Sequence, residues 1–359
     1  MKNPKQDKPL ASALLADAAE VLTFADGCDV SDFRRWLLTD PTKPLICIGN
    51  GGKHTSYPAL LHEINSGVAK AITPLEFASM SPEAIKSCKI LLLSNAGKNM
   101  DIGYATKRAM EYNPENTACM TFTDNPEKNQ MVRALDPSKV FCFKNSYSDG
   151  FISIRTKILT DALLYKAFSG CDKIADKLNT DFHYDYYING GGEFPDWKQI
   201  QHYCVLYGSA GEPVAHDIDS VMAEAGIASA QICDYRNYCH GRFIFGGNHC
   251  KSKRHPETDV CMVLLVTPRE RKLAEQMRSK VLPANMPIVE ISTEMTSSLA
   301  TIQLLMNTLH FMFDVAENHL GINPNSPSNF SGIDKRVPIN GVNFKTELKT
   351  FGEMKHTED

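Results

Sequence analysis

Apolar residues follow two patterns along the chain: short, nearly unbroken runs, and longer stretches with an apolar side chain every three or four positions. The runs are typical of strands buried on both faces, and the stretches are typical of amphipathic helices. Because the two alternate, the sequence predicts an α/β fold with parallel sheets covered by helices on both faces. The predicted strands are 45–48, 69–72, 90–93, 118–122, 140–143, 204–207, 229–233, 260–266 and 287–291. The predicted helices are 11–25, 33–38, 55–66, 102–112, 151–168, 213–225, 268–280 and 299–320.

The alternation starts twice in the same way, with an apolar strand, a glycine turn and a helix. The two turns are Gly49-Asn50-Gly51-Gly52 and Gly208-Ser209-Ala210-Gly211. This repetition predicts two tandem three-layer αβα units. The predicted segments are an N-terminal helical segment at 1–44, a first domain at 45–180, a second domain at 200–320 and a wrapping tail at 321–359. A polar, glycine-rich linker is predicted between 170 and 202.

Charge and composition argue against several classes of protein. The 38 basic and 42 acidic residues give a net charge of −4, which disfavours nucleic-acid binding through bulk charge. The N-terminus is polar and has no apolar signal segment. Helix 299–320 carries Asn307, Asp314 and Glu317, so we interpret it as a core helix and not a membrane span. Eleven cysteines without a C-x-x-C pair suit a reducing compartment, and we expect a cytoplasmic protein.

The glycine turns and one strand-end loop are the candidate ligand-binding segments. Backbone amides at such turns favour anions, and ligands of open α/β sheets bind at the carboxyl ends of strands. Glycines that only permit a tight turn are the alternative. Neither turn has the spacing of a P-loop or of a dinucleotide-binding fingerprint. The predicted substrate-binding residues are Gly51, Gly52, Lys53, His54, Thr55, Ser94, Asn95, Ala96, Gly97, Lys98, Asn99, Ser209 and Ala210.

Glu224, near the end of the predicted helix 213–225, and His240 are the candidate catalytic pair. A carboxylate and an imidazole that meet in one cleft can move a proton between two carbons and open a sugar ring. Taken singly, a solvated helix glutamate and a loop histidine are the alternatives. Near His249, Cys250 and His255 no second cluster at ligand spacing occurs, so no metal site is predicted.

With these residues in place, the chain resembles the double sugar-isomerase (SIS) domain family. The similarity is greatest to the isomerase half of glutamine:fructose-6-phosphate amidotransferase and to its ketosamine-phosphate deglycase relatives. Aligning the family's proline with Pro213 places its catalytic glutamate on Glu224 and its histidine on His240 without a gap. The resemblance implies that Glu224 moves the proton between C1 and C2 of a sugar phosphate, and that His240 opens the ring. It also implies a homodimer, because a neighbouring subunit commonly supplies that histidine, and no cofactor.

The first half resembles the family less closely. Ser94, Gly97 and Asp101 match the family's phosphate-binding loop, whereas Ala96 and Asn99 replace two of its three hydroxyl residues. Thr156-Lys157 is similar to the end of the family's Ser-Thr-Lys helix start, and Lys335 is similar to a tail lysine that forms an imine with the open-chain ketose. The lost hydroxyls leave two alternatives open: a sugar-phosphate-binding sensor or scaffold without catalysis, and an enzyme whose substrate lacks a terminal phosphate.

Overall fold

The computed structural model describes residues 9–50, 69–95, 99–123, 130–147, 149–250 and 257–326. Two compact units divide the chain. One contains residues 27–147 and 163–172, and the other contains residues 1–26, 148–162 and 173–328. Each unit is built on a five-stranded sheet. The predicted α/β fold is therefore confirmed.

The sheet of the first unit is wholly parallel, in the order β2-β1-β3-β4-β5. Its central strands β1 and β3 are buried throughout, which explains their apolar sequences. The predicted helix at 55–66 lies outside the described residues. The strands are β1 (Leu45–Ile48), β2 (Ala69–Ile72), β3 (Lys89–Ser94), β4 (Thr117–Thr121) and β5 (Val140–Cys142). The helices before and between them are α3 (Ser31–Leu38), α4 (Pro74–Ser79), α5 (Pro82–Lys86), α6 (Met100–Tyr112) and α7 (Gln130–Arg133).

A buried lysine ties α3 to this sheet. The Lys89 ammonium, at the start of β3, donates hydrogen bonds to the backbone carbonyls of Trp36, Leu37 and Thr39. These are carbonyls that the end of a helix leaves without a helical partner. Burial lowers the pKa of Lys89 to about 8, although Asp40 acts in the opposite direction.

The sheet of the second unit has the order β8-β7-β9-β10-β6. Strands β7 to β10 are parallel, as predicted, and the edge strand β6 is antiparallel to β10. Strand β6 lies inside the predicted linker 170–202, so this segment belongs to the second sheet and is not only a linker. The strands are β6 (Asp185–Ile188), β7 (His202–Tyr207), β8 (Ser229–Asp234), β9 (Val260–Val266) and β10 (Pro287–Ser292).

Helices cover both faces of this second sheet. Helix α9 packs against α13, and Phe311 of α13 contacts the ring of Tyr203 in β7. The opposite face is covered by a broken helix at 235–249 and by α12, which share one buried core with Cys204 and Leu206 of β7. The elements are α8 (Arg155–Ser169), α9 (Glu212–Ala225), α10 (Tyr235–Asn237), α11 (Phe243–His249), α12 (Arg271–Gln276) and α13 (Ser297–Asp314); α10 and α11 are joined by the π-type turn Tyr238–Arg242.

The N-terminal helices α1 (Ala11–Ala16) and α2 (Ala18–Gly27) form no separate segment at 1–44. Helix α1 packs on α13, and Glu317 accepts a hydrogen bond from the backbone N–H of Ala11 at 2.7 Å. The boundary between the units lies at residue 26 rather than 44, because residues 9–26 bury their apolar face within the second unit. Among the described residues, the helix Ser297–Leu320 is long and apolar enough to cross a membrane, but 83% of its most apolar window is buried in protein. This burial is typical of a core helix.

Candidate active site

Glu224 lies in the last turn of α9, with its side chain exposed. The helix has Pro213 in its first turn and ends at Gly226, whose φ of +68° is a left-handed conformation that suits glycine. Helix α9 connects the parallel strands β7 and β8, so it starts at the carboxyl edge of the sheet and ends at the amino edge. Glu224 is therefore presented at the amino edge.

His240 lies where the broken helix changes direction. Its backbone (φ −92°, ψ 38°) and that of Gly241 (φ +112°) are non-helical, and this interruption leaves the imidazole exposed. The preceding residues anchor the break, because Tyr235 and Tyr238 are buried in the core beneath it. His240 is thus held on a defined support and presented to solvent.

The sheet separates Glu224 from His240 within one chain. Helix α9 covers one face of the second sheet and the broken helix covers the other. Since a helix is about 10 Å wide, the axes of helices on opposite faces of a sheet are about 20 Å apart. The two side chains cannot contact one small ligand in a single chain, so a shared site requires a second chain.

The turn after β7 is also remote from Glu224. Ser209 and Ala210 precede α9, and Glu224 lies near its far end. A helix of this length spans about 20 Å. The carbonyl of Ala210 accepts a hydrogen bond from Thr301 of α13, which fixes the turn against that helix. One small sugar cannot contact this turn and Glu224 of the same chain.

A buried ion pair lies on α9 two turns before Glu224. The Lys157 ammonium is 3.0 Å from an Asp217 carboxylate oxygen, and the side chains are 4% and 1% exposed. Burial raises the pKa of Asp217, and Lys157 opposes this effect. The pair ties the start of α8 to α9, and therefore helps to hold the helix that carries Glu224.

In the first unit, the loop after β3 meets the turn after β1. Asn99 caps α6 by accepting the backbone N–H groups of Asp101 and Ile102, and the Asn50 amide donates to Asn99 at 2.9 Å and to Asp101 at 3.1 Å. Ser94 is buried at the end of β3, and the Asn95 carbonyl accepts the backbone N–H of Phe122. Asn99 therefore has a structural role as the N-cap of α6.

The second unit has a different group at the corresponding place. Gly208 follows β7, and a Cβ atom at this position would lie 2.2 Å from Oε1 of Glu270, in the loop after β9. Glu270 is 6% exposed, and its Oε2 accepts a hydrogen bond from the Thr267 hydroxyl. Sequence reasoning missed Glu270, although its position just after a predicted strand, at the sheet edge where ligands bind, was a usable signal.

Several predicted site residues lie outside the described residues: Gly51, Gly52, Lys53, His54, Thr55, Ala96, Gly97, Lys98 and Lys335. Their roles stay predictions, as do those of Ser94, Asn95, Asn99, Ser209, Ala210, Glu224 and His240. Within the described ranges, no three His, Cys, Asp or Glu side chains cluster as metal ligands. No disulfide bond joins any of the eleven cysteines, all of which lie within the described ranges.

Comparison with known proteins identifies the fold of this chain, but no sequence match assigns it to a family. No protein-family model matches the chain, and no curated protein matches it. Solved structures do match over nearly their whole length. Glucosamine-6-phosphate deaminase from Thermotoga maritima is 12% identical with a TM-score of 0.62, covering 91% of this chain and 99% of that chain.

Two further structures match in the same way. The C-terminal domain of glucosamine-fructose-6-phosphate aminotransferase from Francisella tularensis is 12% identical with a TM-score of 0.57, covering 87% of this chain and 98% of that one. Tagatose-6-phosphate ketose/aldose isomerase from Escherichia coli is 13% identical with a TM-score of 0.56, covering 90% and 96%. At this identity the likeness shows the fold, which is the SIS-type α/β fold that the sequence predicts.

Proposed function

We propose that this protein is a sugar-phosphate or amino-sugar-phosphate aldose–ketose isomerase or deglycase. Glu224 acts as the base that moves the proton between C1 and C2, and His240 of a partner chain opens the sugar ring. The proposal is supported most by the exposed positions of the two residues, one at a helix end and one at a backbone break. The proposal agrees with the names of three structures that share this fold: a glucosamine-6-phosphate deaminase, a domain of a glucosamine-fructose-6-phosphate aminotransferase and a tagatose-6-phosphate isomerase.

The chemistry needs only groups that the chain carries. A carboxylate can accept a carbon-bound proton once a bound sugar has opened. An imidazole can transfer the proton that ring opening requires, because its ordinary pKa lies near neutrality. The same enolisation serves an isomerase, which returns the proton to the neighbouring carbon, and a deglycase, which releases an amine.

The test is a Glu224→Gln variant assayed against hexose, hexosamine and ketosamine phosphates. Removal of a positioned acid–base group lowers the rate about 10²–10⁴-fold, while the ligand still binds. Asp219→Asn, on the exposed side of the same helix, is the matched control and should keep the wild-type rate. A Glu224→Gln enzyme that converts the substrate at the wild-type rate would remove Glu224 from the mechanism.

A sensor or scaffold that binds a sugar phosphate without catalysis is the second candidate. It is favoured by the replacement of two phosphate-binding hydroxyls with Ala96 and Asn99, and by the use of Asn99 as a helix cap. Solvent deuterium separates the two candidates. An isomerase incorporates deuterium at C1 or C2 of the bound sugar phosphate, whereas a sensor incorporates none.

A further inference from the structure

The edge strand β6 has one side that pairs with no other strand of the described residues. It is the last strand of the second sheet and is bonded only to β10. Just past the strand, the Asn189 amide donates to the Met286 carbonyl at 2.9 Å, so the odd-numbered residues of β6 point their backbone groups at β10. Because these directions alternate along an antiparallel strand, the N–H and C=O of Tyr186 and the N–H of Ile188 point away from the sheet. This edge can therefore accept a further strand.

Aromatic side chains form a firm surface beside this edge. The Tyr186 side chain is 50% exposed, and its ring centroid lies 5.1 Å from that of Phe194 and 5.5 Å from that of Trp197. Trp197 is itself buried, with its ring 6.1 Å from that of Phe311 in α13. The exposed tyrosine thus rests on the core of the unit and presents its outer face to solvent. Aromatic residues of this kind are enriched at protein interfaces.

A cavity of about 480 Å³ lies next to the end of β6. Ile188 lines it, and this side chain is on the same face of the sheet as Tyr186, because side chains alternate along a strand. Two other lining residues, Gly191 and Gly192, have φ values of +91° and +125°, a conformation that favours glycine, so this wall carries no side chain. A strand added along β6 would therefore pass the cavity with every second side chain directed towards it.

Acidic side chains line this cavity. Glu193, Asp196 and Glu257 belong to it, and no lysine or arginine of the described residues does. Phe194, whose ring contacts that of Tyr186, lines it as well. A carboxylate accepts a charge-assisted hydrogen bond from a lysine or an arginine, and an aromatic face attracts the same cations. The cavity therefore favours a basic side chain over an acidic or a neutral one.

We propose that β6 is the docking site for an extended, basic segment of another protein, which adds to the sheet as a strand and places a lysine or arginine side chain in the cavity. In this mode of recognition, main-chain hydrogen bonds supply affinity and the cavity supplies specificity. A second copy of this chain fits less well, because a two-fold axis at the edge would bring the carboxylates of both copies close together.

This site is independent of the proposed isomerase chemistry. Strand β6 and strand β8, which follows the helix of Glu224, are the two opposite edges of the second sheet. The order β8-β7-β9-β10-β6 places four strand spacings of about 4.8 Å between them. One partner can therefore occupy β6 without contacting Glu224 of the same chain.

The test is the binding of a labelled peptide, Thr-Val-Lys-Val-Lys-Val-Thr, to the full chain, measured by fluorescence anisotropy. A peptide with glutamate at both lysine positions is the matched acidic probe. Two more peptides keep the lysines but carry N-methyl groups on either the lysine or the valine amides, so that one edge of the peptide cannot pair with a strand. The protein variant is Glu193→Gln combined with Glu257→Gln. Asp196 is left unchanged because it accepts the backbone N–H of Lys198 at 3.0 Å and fixes the turn. Glu275→Gln, at an exposed position of α12, is the matched control variant.

We expect the wild type and Glu275→Gln to bind the basic peptide and not the acidic one. The double variant should bind it at least about tenfold more weakly, because hydrogen bonds to charged groups are lost. One of the two N-methylated peptides should fail to bind, whereas Glu224→Gln should bind the basic peptide like the wild type, so failure of the isomerase proposal leaves this result unaffected. Four outcomes would each overturn the proposal: equal binding of the acidic peptide, equal binding by the double variant, full binding of both N-methylated peptides, or no binding by the wild type, as when a second copy occupies the edge.

Discussion

Glu224 and His240 should act on the same ligand only when they come from different chains. The two residues lie on helices that cover opposite faces of the second sheet, about 20 Å apart, so no side-chain rotation within one chain can bring them together. In a dimer with two-fold symmetry, each shared site would take Glu224 from one chain and His240 from the other. Complementation between inactive variants tests this arrangement directly.

The perturbation is a pair of variants, Glu224→Gln and His240→Asn, each expected to lower the rate about 10²–10⁴-fold alone. Co-expression with two different affinity tags allows the mixed dimer to be purified. One of its two sites carries both substitutions and the other carries neither, so we expect about half of the wild-type rate. The assay is the conversion of the best sugar phosphate from the substrate screen.

The control is a mixed dimer of differently tagged Glu224→Gln chains, which should stay inactive. If the two residues acted within one chain, every site of the mixed dimer would lack one of them, and the activity would stay at the level of the single variants. That result would refute the two-chain site. The surface beside His240 suits a partner, because Phe243 and Ile244 are 41% and 55% exposed.

Three further predictions concern stability. Asp217→Asn should lower the free energy of unfolding, measured by urea titration, by about 3 kcal/mol, because the Lys157 ammonium stays buried after its partner carboxylate is removed. The control Asp219→Asn, at an exposed position, should change this free energy by less than about 0.5 kcal/mol. The pKa of Lys89 is about 8 in the folded protein, below its ordinary value of 10.5, so between pH 8 and pH 10.5 the unfolded chain binds more protons than the folded one. The free energy of unfolding of the wild type should therefore rise by about 1–3 kcal/mol across this window, relative to that of the Lys89→Met variant. A flat difference would contradict the lowered pKa. Gly208→Ala should cost about 1–3 kcal/mol by displacing Glu270 from Thr267, whereas Gly247→Ala, which meets open space, should cost nothing in thermal or urea unfolding.

Most of the fold could be predicted because the central strands are buried on both faces. Strands such as β1 and β9 are nearly unbroken apolar runs, and their predicted bounds are those observed. Strand β6 was missed because it is a short edge strand, Asp185–Ile188, with polar and aromatic residues, and its partner β10 lies about 100 residues further along the chain. Pairing across such a distance leaves no local pattern.

Three helical segments were missed or were predicted with the wrong bounds, each for a different reason. Helix α4 has a capping box formed by Thr73 and Glu76 with a proline at its start, a local signal that the sequence analysis did not use. The broken helix at 235–249 contains Gly241, Gly246 and Gly247 and changes hydrogen-bond pattern within it, so no regular period marks it. Predicted helix 151–168 begins only at Arg155, because Asp149 accepts the backbone N–H groups of Arg155 and Thr156 and fixes the start of α8 there.

For the candidate site, the sequence predicts which residues take part but not how they are arranged. The sixteen positions from Glu224 to His240 cover the end of α9, all of β8 and the start of the broken helix, and this spacing is the same whichever chain supplies each residue. The faces they occupy depend on the strand order β8-β7-β9. The chain leaves β7 for β8 in one direction and passes back over β7 to reach β9, and right-handed crossovers then place the two connections on opposite faces. The strand order comes from pairings between distant segments, so the sequence proposes the glutamate and the histidine as candidates but does not predict the sheet that separates them.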